Sequence, residues 1–330
     1  MTANESNIVR ENVPVMSSLL GRNRVLAGIA FLMAFLISIP FFASDYWITL
    51  LVLILIYTVY ASGWNLFSGL TGYTNFGLAW FIGVSGYVSS LLIADHKFFW
   101  LFAWPIGALF VGIVSIGVGY ILLRIKGVYF AISMVALTEG TRELVGTEYL
   151  EPITHGGKGV PFVAGISLSA LYWSILLLAF ITVFICYKVT SSKFGLRLMA
   201  IREDEQAAET LGIHTTREKI IAFALSAFLT GLAGAIHFTY QNYIDPSFGF
   251  TIHLTLTPIV MTLFGGVGTV FGPAIGATLF TFIHEILWAE LTILYMAIFG
   301  AILIALILFF PQGLLGWMKE RGILPRIRKI

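Results

Sequence analysis

The sequence has little charge and almost no cysteine: Asp, Glu, Lys and Arg make up 11% of 330 residues, and Cys186 is the only thiol. One thiol excludes an intrachain disulfide framework. With no His or Cys cluster in the apolar run around it, Cys186 offers no metal site and reads as a buried packing residue. The signatures of hydrolytic chemistry are missing too: there is no HExxH, no Ser/His/Asp order and no carboxylate pair on a defined face. No catalytic residue is therefore assigned. A phosphate-binding loop is also absent. The nearest approach, Thr154-His-Gly-Gly-Lys-Gly159, fails because GxxxxGK[ST] needs a glycine where Pro152 stands. If ATP drives this protein, another chain hydrolyses it. A net charge of +2 gives no ground for nucleic-acid binding.

What is abundant is apolar sequence, at 58% hydrophobic residues, with eight tryptophans and a mean hydropathy of +0.92. Runs of about twenty apolar residues, enough for a hydrocarbon core of ~30 Å, recur throughout, and the alternation of a β-barrel does not. The expected fold is an all-α membrane protein of about ten transmembrane helices. The spans are read at 25–43, 46–67, 73–93, 98–123, 127–145, 167–189, 219–241, 252–270, 272–289 and 292–311. Residues 1–24 read as a cytoplasmic tail, 25–316 as the transmembrane domain and 317–330 as a basic cytoplasmic tail. With the N-terminus inside, every one of the 19 basic residues except Lys97, Arg142 and Lys158 falls on the cytoplasmic side. Both termini and the loop 190–218 are then cytoplasmic.

That loop is the densest polar stretch. Between Lys193 and Lys219, Phe194, Leu198, Ile201, Ala208 and Leu211 recur at steps of three and four, with Glu205 in the missing step, so the segment reads as one short amphipathic helix. Gly212 can take positive φ and stop it. Thr215 and Glu218 have the spacing of a capping box for the next helix. Pattern alone leaves open whether this helix rests on the bilayer surface or meets a partner.

Two glycine-rich stretches interrupt the apolar runs, Gly69 to Gly86 and Gly265 to Gly276, one in each half of the chain. Irregular backbone at membrane depth needs neighbouring helices or a water-filled cavity to satisfy it, and paired interruptions point to a transport path. Close packing through small residues is the competing reading. Ala227, Gly231 and Ala235 form a small-residue face for tight helix packing. Glu139, Arg142, Glu143, His237, His284 and Glu285 are the ionisable groups inside spans, and Glu139 and Arg142 have the spacing of an ion pair.

The residues themselves carry a resemblance. Gly195-Leu-Arg197, Ala200-Ile-Arg-Glu-Asp-Glu-Gln-Ala-Ala-Glu-Thr-Leu-Gly212-Ile, Ala222-Phe, Ser226-Ala-Phe, Gly231-Leu-Ala-Gly-Ala235, Ser247-Phe-Gly249, Gly265-Gly-Val-Gly268, Gly272-Pro273 and Pro311-Gln-Gly313-Leu resemble the branched-chain amino acid permease family of ABC importers. Gly69-Leu-Thr-Gly72, Gly77, Phe81, Gly83 and Tyr87 extend the likeness over most of 60–316.

The resemblance implies a permease of a prokaryotic inner membrane working with a second homologous permease, two cytoplasmic ATPases that bind ATP and Mg, and a substrate-binding protein outside. It implies no cofactor on this chain. The family's coupling helix maps to Arg202, Glu205, Ala207, Ala208 and Gly212, and path candidates are Gly72, Asn75, Leu78, Trp80, Glu139, Gly265, Gly266 and Gly268. Two departures bear on substrate. Leu78 and Trp80 stand where the family is usually more polar, and Lys158 replaces an acidic or amide residue in the outer loop, near Thr154. An anionic or aromatic solute is one expectation from them. The alternative is a single-chain ion-coupled transporter using Glu139 and Glu285; an intramembrane enzyme lacks a catalytic set. On this reading Glu205→Arg leaves the protein folded and weakens ATPase association.

Overall fold

The computed structural model describes residues 33–290 and Gly300. The chain divides into two compact units, Met1–Ile48 and Thr49–Ile330, and the features below belong to the second, apart from the first turn of the helix that begins at Asp45. Residues 25–32 of the span read at 25–43, nearly all of that at 292–311, and both terminal tails lie outside the described residues.

Helix α1 (Asp45–Trp64) runs on through a π-helical turn, Asn65–Gly69. After an irregular segment come α2 (Leu78–Ala94), α3 (Trp100–Leu122) and α4 (Val128–Gly146). Then follow α5 (Leu168–Thr190), α6 (Lys193–Glu203), α7 (Glu205–Thr210) and α8 (Thr215–Gln241). Helices α9 (His253–Gly265) and α10 (Gly272–Glu290) end the described part. Among the described residues the only sheet is a two-residue antiparallel pair, with Val160 opposite Ile244 and Pro161 opposite Tyr243.

Among the described residues, five helical stretches are long and apolar enough to cross a membrane: Asp45–Gly69, Trp100–Leu122, Leu168–Thr190, Thr215–Gln241 and Pro246–Gly265. Leu78–Ala94 is apolar but shorter. α4 and α10 occupy two further stretches read as spans, and α4 carries Glu139, Arg142 and Glu143 in its second half. The segment is an all-helical bundle of membrane type.

Apolar residues run all round α1, and the helix is buried on nearly every side, as a central strut must be. α3 instead keeps one face inside, through Ala103, Gly107, Ala108 and Val111, and leaves Leu109, Phe110, Ile113 and Ile116 exposed, a face suited to lipid. The small-residue face of α8 does pack tightly, and the helices it meets are α2 and α3. A Cβ on Gly231 would lie 2.6 Å from Val111 Cγ1 and 3.1 Å from Ser85 Cβ. Glycine there sets how closely the three helices approach. Cys186 is buried, its Sγ 3.6 Å from the Ser62 carbonyl.

Two local readings are corrected. The stretch after Lys193 is two helices, not one amphipathic helix. Asp204 takes an extended backbone and its Oδ1 accepts from the N–H groups of Gln206 and Ala207, so an aspartate cap breaks the first helix and starts the second. The capping box also fails. His214 is the N-cap of α8, while the Thr215 hydroxyl donates to Glu209 Oε1 at 2.6 Å and Glu218 pairs with Arg197 at 3.1 Å. Thr215 is already inside the helix, one position past the cap, so its hydroxyl cannot take the capping role and ties α8 to Glu209 of α7 instead. Gly212 does take positive φ, +83°, and ends the helical run.

Candidate functional site

The polar segment 193–219 is fastened to one end of the bundle by side chains that point inward. Lys219, at the start of α8, is 1% exposed. Its ammonium donates to Glu205 Oε1 at 2.6 Å, the Tyr73 hydroxyl at 3.0 Å and the Leu123 carbonyl at 3.1 Å. These three bonds use all three protons of the ammonium, which is what a buried amine requires. The Tyr73 hydroxyl in turn donates to Glu205 Oε2 at 2.7 Å, and Lys126 approaches the same oxygen at 3.4 Å. Four segments meet here: the break after α1, the end of α3, the start of α7 and the start of α8.

Charge and burial pull Glu205 in opposite directions. Burial works to raise its carboxyl, but the hydrogen bonds from Lys219 and Tyr73 and the charges of Lys219 and Lys126 outweigh it and hold the group below the usual carboxylate range. Burial, and then the hydrogen bond to Glu205, push the Tyr73 phenol well above its ordinary value, which keeps it a proton donor. A carboxyl depressed on folding stabilises the fold at any pH above its unfolded value, about 4.3, and the contribution is lost as pH falls through the folded value. In detergent, thermal unfolding of the wild type is therefore expected to gain an acid sensitivity below about pH 4 that Glu205→Gln lacks.

Next to this cluster, Arg202 Nη1 donates to the Gly69 carbonyl at 2.7 Å. Asn65, one turn earlier, accepts from Gly268 N–H at 2.7 Å and donates to the Thr269 carbonyl at 2.8 Å. The two glycine-rich interruptions, distant in sequence, thus meet at the end of the bundle where the polar segment attaches. Gly72 has φ +77°, and a Cβ there would lie 3.1 Å from Arg202 Cγ. A Cβ on Gly268 would lie 3.0 Å from Arg202 Nη1. Both glycines leave room for that one side chain.

The other expected path residues are placed as follows. Asn75 is buried, its Oδ1 capping Gly77 N–H at 2.8 Å and its Nδ2 without a hydrogen-bond partner among the described residues. Leu78 is fully buried, and Trp80 donates to the Thr141 hydroxyl at 2.9 Å. Glu139 is paired with Arg142 at 2.9 Å, so one of the two ion carriers a single-chain transporter would need is already bonded. Gly265 and Gly266 lie at the end of α9, where Gly265 abuts Gly272 of α10.

At the opposite end, Lys158 forms an ion pair with Glu151 at 2.6 Å, so its charge is locally balanced. The Thr154 hydroxyl donates to the Val145 carbonyl at 2.8 Å and holds the loop's own turn. Within the coupling set, Arg202, Glu205 and Ala208 turn toward the bundle, while Ala207 and Gly212 are at the surface. Leu211, which the periodic pattern put on the same buried stripe, is 80% exposed.

Residues 46–307 match the family described as the branched-chain amino acid transport system permease component. The chain belongs to this permease family. The high-affinity branched-chain amino acid transport system permease protein LivM of Salmonella typhimurium is 27% identical over 321 residues, covering 86% of this permease and 74% of that protein. LivH of Escherichia coli K12, which carries the same descriptive name, is 26% identical over 289 residues, covering 79% and 91%. The autoinducer 2 import system permease protein LsrC of Salmonella paratyphi B is 27% identical over 170 residues, covering 50% and 48%. No solved structure matches. Of the residues joined in this network, the sequence reading names Arg202 and Glu205 and does not single out Tyr73, Lys219 or Asn65. A buried-lysine signal was available, since Lys219 opens an apolar span and is followed by no nearby acid.

Proposed function

We propose that this permease is the translocation subunit of an ATP-driven importer of the ABC class, spanning a prokaryotic inner membrane about ten times with both termini cytoplasmic. It pairs with a second homologous permease, receives solute from an external binding protein, and is driven by two cytoplasmic ATPases that hold ATP and Mg. The solute is a branched-chain amino acid or a related small polar or carboxylate-bearing molecule. The names of LivM and LivH support the amino-acid class.

The observation that carries the reading is the two-sided character of α6 and α7. Their inner side is bonded to the bundle through Arg202, Glu205 and buried Ala208, while Ala207 and Leu211 present an apolar tip that no described residue covers. A short helix anchored on one side and apolar on the other fits a partner's groove, and displacement of that partner then moves the anchor. Such movement rocks the spans and alternates access to the path. Leu211→Arg changes only the outer side. It is expected to leave thermal stability within about 0.5 kcal/mol of wild type, as surface substitutions do, while cutting ATPase co-purification and uptake at least about tenfold. Wild-type co-purification and uptake in Leu211→Arg remove this surface from the proposal.

A further inference from the structure

The coupling segment and the two glycine-rich breaks are joined by a continuous run of side-chain bonds. α1 does not end as an ordinary helix but widens into the π turn Asn65–Gly69, a feature that often marks positions where a helix does more than pack. Within this one turn, Gly69 offers its carbonyl to Arg202 from the coupling segment, and Asn65 holds the second break by both ends of its amide. An amide that accepts from Gly268 N–H and donates to the Thr269 carbonyl holds two successive residues of that loop at once, so it fixes the loop in position and in orientation. Asn65 is 4% exposed and folded over Gly69, where a Cβ would strike its Oδ1.

This amide ties the second break to the end of α1, and the backbone of the break needs such a tie. Gly266 and Gly268 have φ of +124° and +77°, so the loop is a conformation that most residues avoid. On the other side of the turn, Gly72 and Gly268 clear the space in which Arg202 lies. Movement of α6 away from the bundle therefore pulls on Gly69, and through the π turn on Asn65 and the loop 266–269.

We propose that Arg202 and Asn65 are positioning residues of a single linkage, through the π turn, that makes both glycine-rich breaks follow the coupling segment during transport. This rests on the importer reading above. The linkage places the moving part of the permease at its inner end, where the two breaks meet, and gives each partner a separate task. Arg202 transmits the displacement and Asn65 shares it with the second break. Neither touches the transported solute.

The test is the ratio of solute taken up to ATP hydrolysed in proteoliposomes holding the full complex, with leucine as the probe solute and its cognate binding protein outside. Arg202→Gln and Asn65→Asp are each expected to lower that ratio about tenfold, the scale of one lost hydrogen bond to a charged or buried group. Arg202→Lys, which keeps a cationic donor, is expected to recover part of it. The double variant is expected to be no worse than the poorer single one, because one broken link already disconnects the chain. An unchanged ratio in Arg202→Gln, or losses that multiply in the double variant, overturns the linkage. Should Asn65→Asp not assemble, the Arg202→Gln and Arg202→Lys pair decides alone. A wild-type complex that binds no ATPase overturns the importer reading instead, whereas coupled wild type with equally coupled variants overturns only the linkage.

Discussion

Glu205→Arg is expected to destabilise the folded permease by about 3–5 kcal/mol, the cost of removing one partner from a buried ion pair. Lys219 is sealed from solvent, and Glu205 supplies its shortest hydrogen bond and its countercharge. An arginine in that place removes both and brings a third cation against Lys219 and Lys126. The sequence pattern alone gives the opposite expectation, of a folded variant that only docks poorly, because it cannot show that Glu205 faces inward. Two controls separate the causes. Glu205→Gln keeps one accepting oxygen for Lys219 but loses the charge and the second acceptor that Tyr73 uses, and it adds no cation, so its loss is smaller than that of the arginine. In the double variant Glu205→Ala with Lys219→Met, both buried charges disappear, and the protein is expected to be more stable than Glu205→Ala alone. Thermal unfolding in detergent measures all four. A double variant less stable than Glu205→Ala sinks the account of Glu205 as the countercharge of a buried lysine.

The other large effect belongs to α9 and α10. A Cβ on Gly265 would fall on the Gly272 carbonyl, and one on Gly276 would fall on the Met261 carbonyl. These obstacles are backbone atoms, which cannot swing aside as the end of a side chain can. Gly265→Ala is therefore expected to cost about 3 kcal/mol or more, at or beyond the upper end of ordinary overpacking. Gly157→Ala, where nothing lies within 4 Å of the added carbon, is expected to be near neutral. Yield of folded protein and thermal midpoint report both. Wild-type stability in Gly265→Ala contradicts the close crossing of these helices. At Gly265 the small residue serves close contact between the two helices.

What the sequence made legible follows from what each signal measures. Apolar run length measures spans, and the run read at 167–189 is the helix Leu168–Thr190. Positive φ at Gly212 and the close packing of Gly231 were readable because glycine is chosen for a local need. Periodicity, by contrast, assigns a face without naming what covers it. It puts Glu205 on the apolar stripe but not beside Tyr73, 132 positions away. It joined α6 to α7 because Leu198, Ile201 and Ala208 are all buried, and missed that Asp204 re-aims the chain between them. Arg202 was found as part of a charged motif. That Gly72 and Gly268 exist to admit its side chain is a three-dimensional fact with no trace in spacing.

The amide of Asn65 has a consequence for how the chain is made. Its partner carbonyl on Thr269 is 204 positions further along. At a synthesis rate of about 5–20 residues per second, that partner leaves the ribosome about 10–40 s after Asn65 does. Throughout that interval the Asn65 amide lacks the partners it has in the folded protein. α1, which runs to the end of the bundle where the polar segment attaches, is therefore expected to settle only when the loop 266–269 arrives.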